Sequence, residues 1–309
     1  MRIPLTCCFL LGAILLPGPS GEGSAQNILV QVSQMETGLP ISGAFLSLYG
    51  ADGSLVRQAL SNAEGRFRFV AGTAGPFTVK AEMIGRETRD VAGIVLAQGE
   101  SRTVSLRLPV RAIALAGIEV RAEERCRLRP EEATTTAQVW EEARKALVVQ
   151  QWAESERVLE FGLLSFSRDL DPQNLRVLTE QRRGTRSVSR NPIQSLSPDV
   201  LARDGFVQAA DAGQHDYYGP DARVLLSDVF LDTHCMLVTQ SPELPGSVGL
   251  SFEPAEWGGV PDIEGTLWLS NEDWRLQFLE YRYTWSPYPE TGGRASGRVE
   301  FEQLPNGAW

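Results

Sequence analysis

The sequence predicts a mainly β protein with an N-terminal antiparallel β-sandwich, then a helix, then a second β-rich and mostly antiparallel domain. The first observation is that apolar and polar residues alternate with a period of two between Ile28 and Leu108, as in half-buried strands. The second is turn chemistry between these segments, such as the Asp-Gly pair at residues 52–53. The third is a single stretch of helical periodicity from Thr135 to about Ala153.

The length and composition of the chain are those of a two-domain globular protein. It has 309 residues, of which 42% are hydrophobic and 22% charged, and folded domains hold roughly 150 residues each. We expect the sandwich at residues 27–122, a connector and helix at 123–153, and the β-rich domain at 154–309. The helix is expected to begin at Thr135, because Gln138 follows it at a capping-box spacing.

The first residues predict a signal peptide at 1–25. Arg2 supplies a positive start, residues 7–16 are almost entirely apolar, and residues 17–23 are rich in helix breakers before Ala25. The apolar run is shorter than the ~20 residues that a membrane-spanning helix needs. We therefore expect export, a mature chain that begins at Gln26, and no transmembrane segment in that chain.

The charge balance argues against nucleic acid as a partner. Asp and Glu number 39 against 29 Lys and Arg, for a net charge of −10, whereas phosphate binding needs concentrated positive charge. The basic residues do cluster once, and this cluster could contact an anionic lipid or polysaccharide: Arg182, Arg183 and Arg186. The alternative is a solvated strand whose arginines balance neighbouring carboxylates.

Two cysteines remain once the signal peptide is removed, Cys126 and Cys235. In an oxidising compartment they predict one disulfide. It would close a loop of about 110 residues and stabilise the fold by ~4–5 kcal/mol in the chain-entropy treatment. Because spacing alone does not bring two cysteines together, a pair of free thiols is the alternative.

The predicted sandwich carries a family resemblance. Residues 38–48, 61–69 and 77–85 resemble the carboxypeptidase regulatory-like repeat. The resemblance implies a seven-stranded, transthyretin-like sandwich with a carbohydrate-binding-like fold. In that family the domain is an accessory to peptidases, receptors and envelope proteins, so the resemblance implies no catalysis.

The region after the helix returns to β patterning. Strands are predicted at residues 158–166, 175–188, 224–230, 235–238, 248–252, 263–269, 274–285 and 298–301. Residues 265–278 resemble a strand-turn-strand of curved-sheet envelope lipoprotein carriers. The chain stops directly after a turn signal at residues 306–307, which suggests a truncated end.

Aromatic residues are the most suggestive feature of this second domain. We expect a curved sheet with one side covered by the helix that contains Trp140 and the other side able to bind an apolar or sugar ligand. Core packing and a subunit interface are the alternatives. The candidate ligand-binding residues are Trp257, Trp268, Trp274, Tyr281, Tyr283 and Trp285.

Histidine-based chemistry finds little support. Neither His215 nor His234 lies in a His-Glu-x-x-His spacing that would place zinc ligands on one face. Asp228 and Asp232 could join His234 in a loose metal trio, but a hydrogen-bonded histidine beside a structural cysteine is the simpler interpretation. We predict no cofactor, metal ion or catalytic residue, and we expect the protein not to be an enzyme.

Paired carboxylates are the one catalytic route that the sequence leaves open. Glycosidases use two acids about 5–10 Å apart that flank the scissile bond. Glu264 and Glu280 lie on neighbouring predicted strands, and Glu253 and Glu256 lie close to Trp257. Either pair could face a common groove, so a carboxylate-based hydrolase stays an alternative.

These inferences describe an exported cell-envelope protein, in the periplasm or on the outer surface of a bacterium, that binds or scaffolds a partner without catalysis. The partner could be an envelope protein, a glycan or an apolar ligand. A carrier of an apolar ligand would need a continuous apolar groove beneath the hairpin that contains Trp268.

Overall fold

The computed structural model describes residues 26–72, 75–115, 130–171, 173, 176–188, 194–210, 214–285 and 295–309. The predicted signal peptide and Cys126 lie outside these residues. The first seven strands are β1 Gln26–Gln34, β2 Phe45–Tyr49, β3 Leu55–Leu60, β4 Arg66–Ala71, β5 Gly75–Glu82, β6 Arg89–Leu96 and β7 Ser101–Leu108.

These seven strands form the predicted sandwich. One sheet has the order β4-β1-β7 and the other β3-β2-β5-β6, and their inner faces share an apolar core that includes Ile28, Leu46 and Phe69. All strand pairs are antiparallel as predicted except β1 with β7, which is parallel. Because the chain changes sheets between β6 and β7, β7 lies beside β1 and runs in its direction.

The second half begins with a long helix, α1 Pro130–Ser155. The predicted start at Thr135 is wrong, because a proline followed by two glutamates opens the helix one turn earlier. Proline suits the first helical position and acidic residues suit the first turn. The apolar stripe of α1 includes Val139, Ala143 and Leu147, all buried against the C-terminal sheet.

The remaining elements make the second half of the chain β-rich. They are β8 Phe161–Leu170, β9 Val177–Val188, α2 Pro198–Asp204, β10 Val207–Ala209, β11 His215–Tyr217, α3 Ala222–Leu225, α4 Asp228–Thr233, β12 His234–Thr239, β13 Ser247–Pro254, β14 Ile263–Ser270, β15 Leu276–Tyr283 and β16 Ser296–Glu300. The last five strands form one antiparallel sheet in sequence order, with α1 packed on one face. The prediction of a helix-covered β-sheet is confirmed.

The predicted strand at residues 224–230 is wrong, because α3 and α4 occupy this region. The Asp221 side chain accepts a hydrogen bond from the Val224 amide at 2.9 Å, and the Ser227 hydroxyl accepts one from the Phe230 amide at 3.1 Å. These two N-caps satisfy the first free amides of each helix and outweigh the β propensity of the apolar residues between them.

The two halves have separate apolar cores, and one buried side chain of the sandwich belongs to the core of the second half. Phe45 belongs to β2 of the sandwich, yet its ring lies among the side chains of the C-terminal core, 5.6 Å from the ring of Trp152 on α1. At a second contact a Cβ atom on Gly43 would lie 2.7 Å from the Gly307 Cα atom. The sandwich is therefore packed directly against the second half of the chain.

A buried ionic network reinforces this junction. Glu142 of α1 is fully buried; it accepts a hydrogen bond from the Gly85 amide at 2.8 Å, and Arg111 lies 3.1 Å away. Lys145, also buried, donates to Glu142 at 2.8 Å and to the Arg86 carbonyl at 2.6 Å. Burial lowers the pKa of Lys145. The helix thus holds the β5–β6 loop of the sandwich through charged hydrogen bonds.

Candidate ligand groove on the C-terminal sheet

The face of the C-terminal sheet opposite α1 lines a wide groove of about 970 Å³. Side chains alternate between the two faces of each strand, so every second residue points into this space. In the strand register, Thr266 of β14 lies opposite Glu280 of β15, which lies opposite Arg298 of β16. In the next row Glu264 lies opposite Arg282. The groove therefore has a regular polar lining.

Charged side chains pair across the strands of the groove. Arg282 donates to Glu264 at 2.5 Å, and Arg298 donates to Glu280. The Arg298 guanidinium also lies 3.8 Å from the centre of the Phe278 ring. Each carboxylate keeps further lone pairs and each guanidinium further N–H groups, so these pairs can bind a polar ligand from the groove side.

Trp268 forms part of the groove floor. Its ring packs 6.1 Å from that of Phe278 and lies over Gly249 of the adjacent strand. A Cβ atom on Gly249 would approach the Trp268 ring to 3.0 Å and the Thr239 methyl to 2.6 Å. Glycine at this position lets the indole lie flat on the sheet.

The structure does not bring the six predicted aromatic residues together. Of these six residues, Trp268 and Tyr281 line the groove. The ring of Tyr281 packs 5.8 Å from that of Tyr283, and burial raises the pKa of both phenols. Trp274 is buried in the core, Trp257 is exposed after β13, and Trp285 is exposed beside His215. The six residues therefore do not form one aromatic cluster, because neighbouring strand residues face opposite sides, and their role in ligand binding stays a prediction.

The other predicted residues lie elsewhere or form different contacts. His234 is buried, with Nδ1 3.1 Å from the Phe230 carbonyl and Nε2 3.2 Å from Asp262. Asp228 and Asp232 lie on α4 and not on a strand with it, so the metal trio is wrong and the hydrogen-bonded histidine is confirmed. Across the described residues, no group of three or more metal-ligating side chains gathers.

The predicted basic cluster lies on β9. Arg182 donates to Glu180 of the same strand, as expected for the alternative of a solvated charged face. Arg183 is exposed, and the side chain of Arg186 lies outside the described residues. The paired arginines of the groove, Arg282 and Arg298, were not predicted from the sequence.

Cys235 lines the groove and is disulfide-bonded. Its predicted partner lies outside the described residues, so the pairing with Cys126 stays a prediction. Glu264 and Glu280 both line the groove, as the prediction of a common groove for this pair requires. Glu253 lines it as well. Among the described helices, none combines the length and apolar composition needed to cross a membrane.

Comparisons with known proteins identify the N-terminal domain. A family model of the carboxypeptidase regulatory-like domain matches residues 27–109, so the predicted resemblance is confirmed for this part of the chain. No curated protein matches the sequence. The resemblance of residues 265–278 to lipoprotein carriers stays a prediction.

Several solved structures are similar to a small part of the chain. The TIE protein of Bacillus anthracis is 16% identical over 28% of this chain and 17% of its own, with a TM-score of 0.24. The 5-hydroxyisourate hydrolase of Klebsiella pneumoniae is 16% identical over 28% of this chain and 92% of its own, with a TM-score of 0.24. BcpA, the major pilin subunit of Bacillus cereus, is 15% identical over 27% and 28%, with a TM-score of 0.23. These low scores carry no argument about function.

Proposed function

We propose, from the premise of a regulatory-like domain at residues 27–109, that the protein is an exported surface or periplasmic scaffold that binds an oligosaccharide in its C-terminal groove. The observation that carries this proposal is the lining of the groove. Carboxylates, guanidinium groups and hydroxyls alternate over an aromatic floor, in a space of about 970 Å³. The regulatory-like sandwich serves as a rigid mount for this sheet.

The chemistry of the lining favours a sugar over an apolar ligand. Sugar hydroxyls both donate and accept hydrogen bonds, and Glu280 and Arg298 supply an acceptor and a donor side by side. The Trp268 side chain is 8% exposed and lines the groove, where this exposed part can contact the apolar C–H groups of a sugar. An apolar ligand would instead remove these charges from water without replacing their hydrogen bonds, which is costly.

Binding without hydrolysis is part of the proposal. A glycosidase pair needs one carboxyl group that stays protonated to donate to the leaving oxygen. Glu264 and Glu280 each accept a hydrogen bond from an arginine. We expect both side chains to act as hydrogen-bond acceptors for a glycan that the groove leaves intact.

Groove variants test the proposal with a panel of bacterial cell-envelope and polysaccharide oligosaccharides. Binding is measured by calorimetry, and the recovered sugars are weighed by mass spectrometry. We expect Arg298→Ala to weaken binding about 10- to 100-fold, since hydrogen bonds to charged groups contribute about 1.5–3 kcal/mol. Thr266→Val, which keeps the side-chain shape, should weaken it about fivefold.

Arg203→Ala is the matched control, because Arg203 is an exposed arginine paired with Asp204 on α2. It should leave the affinity unchanged. No binding by the unmodified protein, or equal weakening by all three variants, would contradict the groove as the site. Shortened sugars that disappear with Glu264→Gln or Glu280→Gln would contradict binding without hydrolysis.

Export follows from the first 25 residues, and its test is independent of the groove. The chain expressed in a bacterium with its full N-terminus should appear outside the cytoplasm with Gln26 as its first residue. Mass spectrometry of the recovered protein identifies that residue. Recovery of the intact chain with Met1 from the cytoplasm would refute export.

A further inference from the structure

The two-stranded ribbon formed by β8 and β9 stands apart from the rest of the described fold. The two strands pair with each other along their full length. Within the described residues no third strand joins either outer edge, and no other helix or strand packs broadly on the ribbon. Two-stranded ribbons alone are at best marginally stable in water, and open edges are ready to pair with another strand.

Large apolar side chains are exposed on this ribbon. Leu164 and Phe166 of β8 and Leu178 of β9 are 62%, 56% and 62% exposed, and Leu170 and Val177 near the tip are also exposed. Single exposed apolar residues are ordinary, but a cluster on one small element marks an interaction surface. We therefore expect a binding partner to cover this apolar surface of the ribbon.

The charges on β9 indicate which kind of partner the ribbon would bind. Glu180 accepts hydrogen bonds from Arg168 of β8, at 2.5 Å, and from Arg182. Glu180 and Arg182 are two residues apart, so they share one face of β9. A strand that carries opposite charges at this spacing is complementary to an antiparallel copy of itself.

We propose that the ribbon is a dimerisation arm, in which β9 pairs antiparallel with β9 of a second copy about a two-fold axis at Gln181. In this register Glu180 lies opposite Arg182 of the partner subunit, and the reverse pair forms as well. Leu178 then lies opposite Gly184 of the partner subunit, where the space around the missing Cβ atom is open. The result is a four-stranded sheet that continues the apolar surface across both copies.

The same geometry excludes β8 as the self-pairing edge by charge. A two-fold axis perpendicular to the sheet leaves each side chain on the same face of the sheet. Residues that lie opposite each other must therefore differ by an even number in the sequence, because side chains alternate between the faces. Arg168 and Asp169 of β8 are adjacent, and their charges cannot meet across such an axis. β9 is the edge whose charges can.

Engineered cysteines test the register directly. Residues directly opposite each other in antiparallel strands have Cα atoms about 4.5–5.5 Å apart, within the range of a disulfide. We expect Gln181→Cys to form a covalent dimer under mild oxidation. Arg183→Cys, two residues along the same exposed face, should stay uncrosslinked, since its two copies would be offset by four residues, or about 13 Å along the strand.

Charge-reversal variants without engineered cysteines test whether the partner is a second copy of the chain. Light scattering and sedimentation should find the exported chain dimeric. Glu180→Arg and Arg182→Glu should each raise the dissociation constant of the dimer at least tenfold, because like charges then face each other. Arg203→Glu, which reverses an arginine of similar exposure, should leave the dimer unchanged. Circular dichroism confirms that each variant is folded.

Three results would overturn the proposal. They are a monomer at every concentration tested, equal crosslinking at positions 181 and 183, and a dimer that neither charge reversal weakens. Any of them would mean that another partner, or none, covers the ribbon.

Discussion

Replacing Glu142 by alanine is expected to lower the free energy of unfolding by about 3–5 kcal/mol. The carboxylate is fully buried; it accepts hydrogen bonds from Lys145 and the Gly85 amide and forms an ion pair with Arg111. Its removal would leave the buried Lys145 ammonium without its anion, and an unpaired buried charge is far more costly than a lost surface pair. The expected loss is a large part of the stability of an ordinary domain.

Urea denaturation followed by circular dichroism measures this change. The control is Glu141→Ala, one residue earlier on the same helix, where the side chain is partly exposed and pairs with Arg144. A pair of this kind contributes about 1 kcal/mol or less. An equal effect of the two substitutions would show that the buried network does not hold the two halves of the protein together.

Phe45→Ala should lower the free energy of unfolding by about 3–5 kcal/mol, as large-to-small substitutions of buried aromatic residues do. The ring belongs to the sandwich by sequence but to the C-terminal core by contact, next to Trp152. The variant should therefore destabilise both halves in one transition. Leu39→Ala, on the sandwich surface where Leu39 is 58% exposed, is the control and should change stability by less than about 0.5 kcal/mol.

The outcome that would contradict this account is separation of the unfolding curve. If Phe45→Ala shifted the sandwich signal while the signal of the tryptophans on α1 and the C-terminal sheet stayed in place, the two halves would be independent domains. Trp140 and Trp152 of α1 report on the second half by fluorescence, and the described part of the sandwich contains no tryptophan.

The sequence predicts the sandwich well because its signal is local. The alternation of apolar and polar residues in a strand such as β1 predicts which side chains face the core, and Ile28, Val30 and Val32 are indeed buried. The parallel pairing of β1 with β7 has no local signal, because it depends on where the chain changes sheets. The two short helices that contain residues 222–233 were missed because their caps, Asp221 and Ser227, were outweighed by the β-forming residues between them.

The groove was predicted only in outline. Strand alternation predicts that the sheet has a face opposite the helix and that Trp268 lies on this face. The cross-strand partners do not, since the pairing of Glu264 with Arg282 depends on register. Register is fixed by turns and long-range packing, which the sequence does not state.

The buried network was invisible for a related reason. Glu142 and Lys145 are three residues apart on a helix, the spacing of an ordinary surface ion pair. Their burial results from the β5–β6 loop of the sandwich, more than fifty residues earlier in the chain. The same two residues on a free helix would be solvated.

The indole N–H signals of the protein in a nitrogen-edited NMR titration give the most direct test of the groove. The chain has seven tryptophans, and Trp268→Phe assigns the one in the groove floor. With the tightest-binding oligosaccharide of the panel, we expect the Trp268 signal to shift in proportion to occupancy while those of Trp140 and Trp152 stay in place. Binding that leaves the Trp268 signal unmoved would put the ligand elsewhere and contradict the account.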